Sequence, residues 1–157
     1  MLIPMTINSE KININSTPDK SMMHILRELG YLSVKSGCEE GICGSCTILL
    51  DGAPVPSCCL PVALAKNCEI ITLEYFSKTS EYRSIMTGFR KAGISLCGYC
   101  NAAKIFAAFQ IICMKKNLTR QDISKMLQGI APCCTDQDTL INGIIYAIKE
   151  YSTPEKN

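Results

Sequence analysis

The sequence predicts an α+β protein in which a strand-rich first half with one helix precedes a helical second half. Three observations predict it. Short β-branched and apolar runs bounded by turn residues fill the chain as far as Glu74. Apolar residues recur at helical spacing from Tyr82 onward. A polar, linker-like stretch, Lys78-Thr79-Ser80, separates the two patterns and puts the boundary between Glu74 and Ser80.

Leu2 to Ile7 and Lys11 to Ile14 read as strands joined by a turn at Asn8-Ser9-Glu10. Thr17, Pro18 and Asp19 form a helix-start cluster, and Ser21 to Leu29 sets Met22, Ile25, Leu26 and Leu29 on one face. Gly30 then ends the helix in the left-handed region. Thr47 to Leu50 is an apolar strand, Asp51-Gly52 a tight hairpin turn, and Val55 lies in the return strand. Ile70 to Leu73 is a further short strand. In the second half, Ile85, Met86 and Phe89 share a helix face that stops at Gly93. Ala102 to Met114 is an Ala- and Ile-rich helix with Ile105, Phe106, Phe109, Ile112 and Cys113 at helical steps. Thr119 is an N-cap with Asp122 as its capping-box partner, Ile123, Met126 and Leu127 follow, and Gly129 stops that helix. Leu140, Ile144, Ile145 and Ile148 mark a last amphipathic helix.

Composition narrows the function classes. At 157 residues the chain is one ordinary domain or two small ones, and two small ones would each need a staple beyond a thin core. With 47% apolar and 19% charged residues it is not a disordered chain. A net charge of +2 without a long basic run argues against nucleic acid, and no apolar run is long enough for a membrane span. The first residues lack the features of a secretory signal, so a cytoplasmic location is expected. Eleven cysteines in such a protein point to metal or redox chemistry rather than to disulfides.

The cysteines sort by half. Cys38, Cys43, Cys46 and Cys58 lie in GCEEGICGSC plus a distant cysteine, which is the C-x4-C-x2-C…C spacing of a plant-type [2Fe-2S] site. Four thiolates must converge on two irons, so the loop wraps tightly. Gly37, Gly41 and Gly44 allow the backbone to turn and bring N–H donors to sulfur. Zinc is the competing ligand chemistry, because Cys43-x2-Cys46 alone suits it. Cys97, Cys100, Cys133 and Cys134 form a second set, with CGYC and APCC each placed before a helix, where an N-terminus favours thiolate charge. That set is less specific, and zinc is a fair rival there too. Cys59, Cys68 and Cys113 read as small buried hydrophobes, with Cys59 also able to stand in for its neighbour Cys58. His24 reads as packing or surface. Lys115, Lys116 and Arg120 read as a solvated helix end that could dock a partner.

These motifs, with EIITLE at the junction, ISLCGYC and LTRQDISKMLQGI, resemble the small iron–sulfur subunit of the molybdenum hydroxylases, the xanthine dehydrogenase, aldehyde oxidoreductase and carbon monoxide dehydrogenase family. The resemblance implies a β-grasp plant-type ferredoxin domain over 1–76 and a C-terminal four-helix domain over 77–157. It implies a first [2Fe-2S] cluster on Cys38, Cys43, Cys46 and Cys58. It assigns Cys97, Cys100 and Cys134 to a second. It also implies a large molybdopterin-binding partner subunit that oxidises substrate, and an FAD-binding subunit that receives electrons after both clusters. The chain departs from the family pattern around the second cluster. Where the family has Cys-Arg-Cys-Thr-Gly-Tyr, this chain has Pro132-Cys133-Cys134-Thr135-Asp136-Gln137. Leu96 replaces a pterin-contacting Gln, and Asn101-Ala102-Ala103 replaces Thr-Pro-Gly. Cys133 is therefore expected to supply the ligand that Pro132 displaces, by a local backbone shift; the alternative is a second site that is altered or lost, with a changed pterin contact. Two other functions compete: a freestanding ferredoxin-like carrier or redox sensor, and a zinc-stabilised interaction module. Against the carrier stand the weak net charge and the otherwise purposeless helical half.

Overall fold

Ile3, Met5 and Ile7 alternate with Leu2, Pro4 and Thr6, so the first strand has one apolar face, and that face is buried. In the computed structural model, which describes residues 1–114 and 116–153, this strand is β1 (Leu2–Ile7). It pairs antiparallel with β2 (Glu10–Asn15) across a turn in which Asn8 and Ser9 take φ of 51° and 71°. β3 (Thr47–Leu50) and β4 (Ala53–Pro56) form the second hairpin, and β5 (Glu69–Ile71) joins the two. The mixed sheet has the order β2-β1-β5-β3-β4, with β5 parallel to β1 and antiparallel to β3.

The helix α1 (Met22–Glu28) covers one face of the sheet. Its N-cap is Ser21 rather than the expected Thr17-Pro18-Asp19 cluster. The reason is that Pro18 and Lys20 give their carbonyls to the N–H groups of Ala63 and Val62, which keeps the backbone before Ser21 out of the helix. Leu29 falls at the C-cap and is exposed, and Met23 is buried in its stead. The strand expected over Ile70 to Leu73 stops at Ile71. Thr72 donates its N–H to Asn8 Oδ1 at 2.9 Å and leads into a one-turn helix, α2 (Leu73–Phe76). Within α2, Glu74 accepts from the Ser33 N–H at 2.7 Å and from the Ser33 hydroxyl. Burial opposes ionisation there, yet those two donors hold the Glu74 carboxyl below its usual range.

The remaining helices are α3 (Ser80–Lys91), α4 (Asn101–Cys113), α5 (Arg120–Met126) and α6 (Gln137–Ser152). The polar stretch expected as a linker is a helix start instead: the Thr79 side chain accepts the Tyr82 N–H at 3.2 Å. The capping box on Thr119 and Asp122 forms as the spacing predicts. Of the basic group, Lys115 lies outside the described residues and Lys116 is exposed. Arg120 is tied to α6 through Asn142 at 2.7 Å and Asp138 at 3.4 Å. No helix among the described residues is long and apolar enough to cross a membrane.

Two apolar clusters result. Met22, Met23, Leu26, Ile48 and Ile70 fill the space between α1 and the sheet. Phe76, Phe89, Phe106, Leu140 and Ile144 fill the helical half, and Leu49 belongs to that second cluster. Neighbouring residues of β3 point to opposite faces, so Ile48 serves one core and Leu49 the other.

Helices α3 and α6 cross where glycines face one another. A Cβ on Gly88 would lie 2.6 Å from the Gly143 carbonyl oxygen and 2.7 Å from Ala147 Cα, both backbone atoms with no side-chain freedom to yield. Gly88→Ala is therefore expected to destabilise the fold by about 1–3 kcal/mol through overpacking, read as a lowered denaturation midpoint by far-UV circular dichroism.

Candidate functional site

The segment between α1 and β3 has no regular secondary structure, and its backbone is shaped around sulfur. Glu39, Gly41 and Gly44 take φ of 59°, 75° and 75°. These turns aim successive N–H groups inward. Cys38 Sγ accepts from the N–H of Glu40 at 3.4 Å, of Ile42 at 3.3 Å and of Cys43 at 3.3 Å. Cys43 Sγ accepts from the Cys38 N–H at 3.4 Å and lies 3.0 Å from Ser45 Oγ. On the other side of the loop, Cys46 Sγ accepts the Cys58 N–H at 3.4 Å. Ser57 Oγ locks that corner by donating to the Cys46 carbonyl at 2.7 Å. The four cysteines thus fall into two neighbouring pairs, Cys38 with Cys43 and Cys46 with Cys58.

Electrostatics differ between the pairs. Burial works against ionisation of Cys43, but the Ser45 hydroxyl and the N–H groups of Cys38 and Ser45 outweigh it and bring the thiol down to about 6. Burial pushes Cys46 and Cys58 up.

The second set lies beside the first. Cys97, Cys133 and Cys134 have their sulfurs within 4.8 Å of one another, and Cys100 Sγ is 3.1 Å from Cys133 Sγ. Cys97 is lowered to about 7 by the Tyr99 N–H and the Cys133 thiol. Cys133 is raised, chiefly by the Cys100 and Cys97 thiols, and Cys134 is raised, chiefly by burial. Only half of the helix-start expectation holds. Cys100 is the N-cap of α4, whereas α6 is capped by Asp136, so Cys133 and Cys134 stand in the loop before it.

The two sets touch. Tyr99, inside the CGYC turn, projects its hydroxyl toward Cys43, and charge on Cys43 raises that phenol. A Cβ on Gly37 would lie 2.5 Å from Ser45 Oγ, 2.6 Å from Cys43 Sγ and 2.8 Å from the Tyr99 hydroxyl. A Cβ on Gly44 would lie 2.5 Å from Ala103 Cβ at the start of α4. A sulfur-rich donor set, inward N–H groups and a cradle without side chains suit a thiolate-ligated iron–sulfur group.

Three cysteines expected in the core are not there. Cys59 and Cys113 are exposed and Cys68 is half-buried. Cys59 ends a 3-10 turn, Ser57–Cys59, which swings its sulfur to within 3.7 Å of Cys58 Sγ and toward Gly41. His24 is exposed and binds the Ser21 hydroxyl at 2.6 Å. Sequence reasoning missed Lys104, buried in α4 with its Nζ 2.8 Å from Cys100 Sγ. The signal was present as a lone cation, four residues after Cys100, in a helix whose other polar residues are Asn101 and Gln110.

Comparison with known proteins gives a uniform result. A 2Fe-2S iron-sulfur cluster binding domain matches residues 5–68, and a [2Fe-2S] binding domain matches residues 72–145. The nicotinate dehydrogenase small FeS subunit of Eubacterium barkeri is 32% identical over 148 residues, 94% of either chain. The xanthine dehydrogenase iron-sulfur-binding subunit of Escherichia coli O157:H7 is 34% identical over 145 residues, 91% of either chain. Among solved structures, a chain of quinoline 2-oxidoreductase from Pseudomonas putida 86 superposes with a TM-score of 0.84 at 31% identity, over 99% of this chain and 98% of that one.

Gly37→Ala tests the cradle. The added methyl must displace Cys43 Sγ or Ser45 Oγ, so the variant is expected to lose iron to a chelator on the order of 10-fold faster than the parent, followed by the bleaching of visible absorbance.

Proposed function

Since the chain belongs to the small iron–sulfur subunits of the molybdenum hydroxylase-type dehydrogenases, electron-transfer components of oxidoreductases, we propose that it holds two [2Fe-2S] clusters between a substrate-oxidising partner and an electron acceptor. Cys38, Cys43, Cys46 and Cys58 would hold the first; Cys97, Cys100, Cys133 and Cys134 would hold the second. Each bound cluster supplies a reversible one-electron centre. The chain's own work is to present the sulfurs, donate N–H groups to them and keep the two sites adjacent.

The observation that carries the reading is the convergence of the second set. Pro132 occupies the position of a family ligand, yet both Cys133 and Cys134 turn their sulfurs toward Cys97. Neighbouring side chains diverge in a regular strand, and here the irregular loop before Asp136 lets them face the same way. Cys133 thereby makes up the fourth sulfur. The contact of Tyr99 with the Cys43 side of the first loop supports short-range exchange between the sites.

We divide the chain into a β-grasp ferredoxin-like domain over 1–76 and a four-helix domain over 77–157. The two apolar clusters and helices α3 to α6 support that division. The partners we infer are a large molybdopterin-binding subunit and an FAD-binding subunit, with electrons running from the first through the helical-domain site and then the ferredoxin-domain site to the second. Ile42, 63% exposed beside Cys43, and Tyr99, 50% exposed, are apolar groups on the cysteine-bearing surface and support its use as a subunit contact. A chain with eleven cysteines in metal-type spacings suits a reducing compartment, and we assign it to the cytoplasm.

The test is iron and sulfide analysis with low-temperature EPR of the dithionite-reduced complex. About four irons per chain and two distinct [2Fe-2S] signals are expected. Cys133→Ser and Cys134→Ser should each disturb one signal and spare the other. A single signal in the parent, or zinc in the helical half, would overturn the two-cluster reading, and an intact second signal in either variant would overturn the four-cysteine assignment.

A further inference from the structure

Lys104 is 1% exposed, lies one helical turn after Cys100 on α4, and aims its Nζ at Cys100 Sγ from 2.8 Å. Its other acceptor is the Ala131 carbonyl at 3.4 Å. No carboxylate among the described residues lies within ion-pair distance of it. The small gap beside it, about 50 Å³ in volume, is lined mainly by the apolar Leu127, Ile130, Pro132 and Leu140, with the uncharged Thr135 and Gln137 completing it. An ammonium in such a place is strongly disfavoured unless an anion faces it. The group that faces it is a sulfur, which becomes a thiolate when it ligates metal.

The consequence concerns reduction. Adding one electron to the site increases the negative charge shared by its sulfurs. A cation that donates a hydrogen bond to one of those sulfurs stabilises the reduced form more than the oxidised form, and hydrogen bonds to sulfur are among the main controls of such potentials. Charge-assisted bonds are the strong class, and the dry surroundings of Lys104 leave this one little screened. We propose that Lys104 is a positioning residue that acts through Cys100 to raise the reduction potential of the second site, so that an electron rests more readily there. The proposal depends on the two-cluster reading given above.

The test is a mediated dithionite titration of the purified, iron-loaded complex, following both EPR signals. The second-site signal is identified as the one altered in Cys97→Ser. Lys104→Met, similar in length but without charge or donor, is expected to shift the second-site midpoint to more negative potential and to leave the first-site midpoint unchanged. Lys104→Arg, which keeps both charge and donor, should return it toward the parent value. A packing role alone would move neither midpoint. Should Lys104→Met fail to assemble the second cluster, the parent decides the matter. With this chain labelled at lysine ¹⁵Nζ, pulsed EPR of the reduced second-site signal is expected to show nitrogen coupling. An unchanged second-site midpoint in Lys104→Met, or no such coupling in the parent, overturns the role of Lys104 and leaves the two-cluster reading standing. Absence of a second signal in the parent overturns both.

Discussion

Thiolates gathered at one point repel, and the fold is organised around making that gathering tolerable. Two unit charges about 4 Å apart interact by about 4 kcal/mol at an effective dielectric constant of about 20. Cys97, Cys133 and Cys134 sit within 4.8 Å of one another; hydrogen bonds from the Tyr99 N–H and the Cys133 thiol hold Cys97 down, the Cys100 and Cys97 thiols hold Cys133 up, and burial holds Cys134 up. Gathering such thiolates calls for a counter-charge. In the first loop the counter-charge is partial and comes from the backbone: three N–H groups point at Cys38 Sγ. At the second set a side chain, Lys104, brings a full one to Cys100. Both devices are anchored in the neighbouring core, since neither a loop N–H nor a buried lysine can hold its aim alone.

The anchoring runs through a small number of ties. Arg27 of α1 donates to the Val34 carbonyl at 2.7 Å, and Glu74 of α2 holds both polar groups of Ser33. The entry to the first cysteine loop is thus fixed by α1 on one side and by the junction between the halves on the other. The exit is fixed by β3, whose Thr47 hydroxyl donates to the Gly44 carbonyl at 2.8 Å. Because β3 gives Ile48 to one core and Leu49 to the other, the loop it closes cannot shift without disturbing both. This is why Ile48, Leu49 and Leu50 of the strand are apolar in succession rather than alternating with polar residues.

Much of this was legible in the residues. The first hairpin strand, β3, the capping box on Thr119 and the apolar faces of α3, α5 and α6 follow from local patterns, and the structure places them where the patterns do. What was illegible depended on partners distant in sequence. Ser21 replaces the Thr17 cluster as the α1 cap because segment 61–63 claims the carbonyls before it. Strand β5 stops early because Asn8, 64 residues away in the chain, binds Thr72. For the candidate site, spacing singled out Cys38, Cys43, Cys46 and Cys58, and placement before helices with the family resemblance pointed to Cys97, Cys100, Cys133 and Cys134, but neither said which sulfur would lie near which. The irregular loop that turns Cys133 and Cys134 together, and the burial of Lys104, are decided by the packing of α4 against the 127–132 segment.

The glycines of GCEEGICGSC show how far a local reading of such a motif can mislead. Each was expected to free the backbone for a tight wrap, and Gly41 and Gly44 do carry positive φ. Gly37 does not, and its constraint lies in what stands over it: Ser45 Oγ, Cys43 Sγ and the hydroxyl of Tyr99, a residue from the other half of the chain. Gly44 likewise faces Ala103 on α4. So two of the three glycines are required by the second cysteine segment as much as by the first. That changes what the motif encodes. A loop that only had to wrap its own sulfurs could be used alone, whereas this one is shaped to receive Tyr99 and the start of α4 against its surface. The separation between the two cysteine sets is then a property of the first loop itself, written into positions where any side chain would push the sets apart.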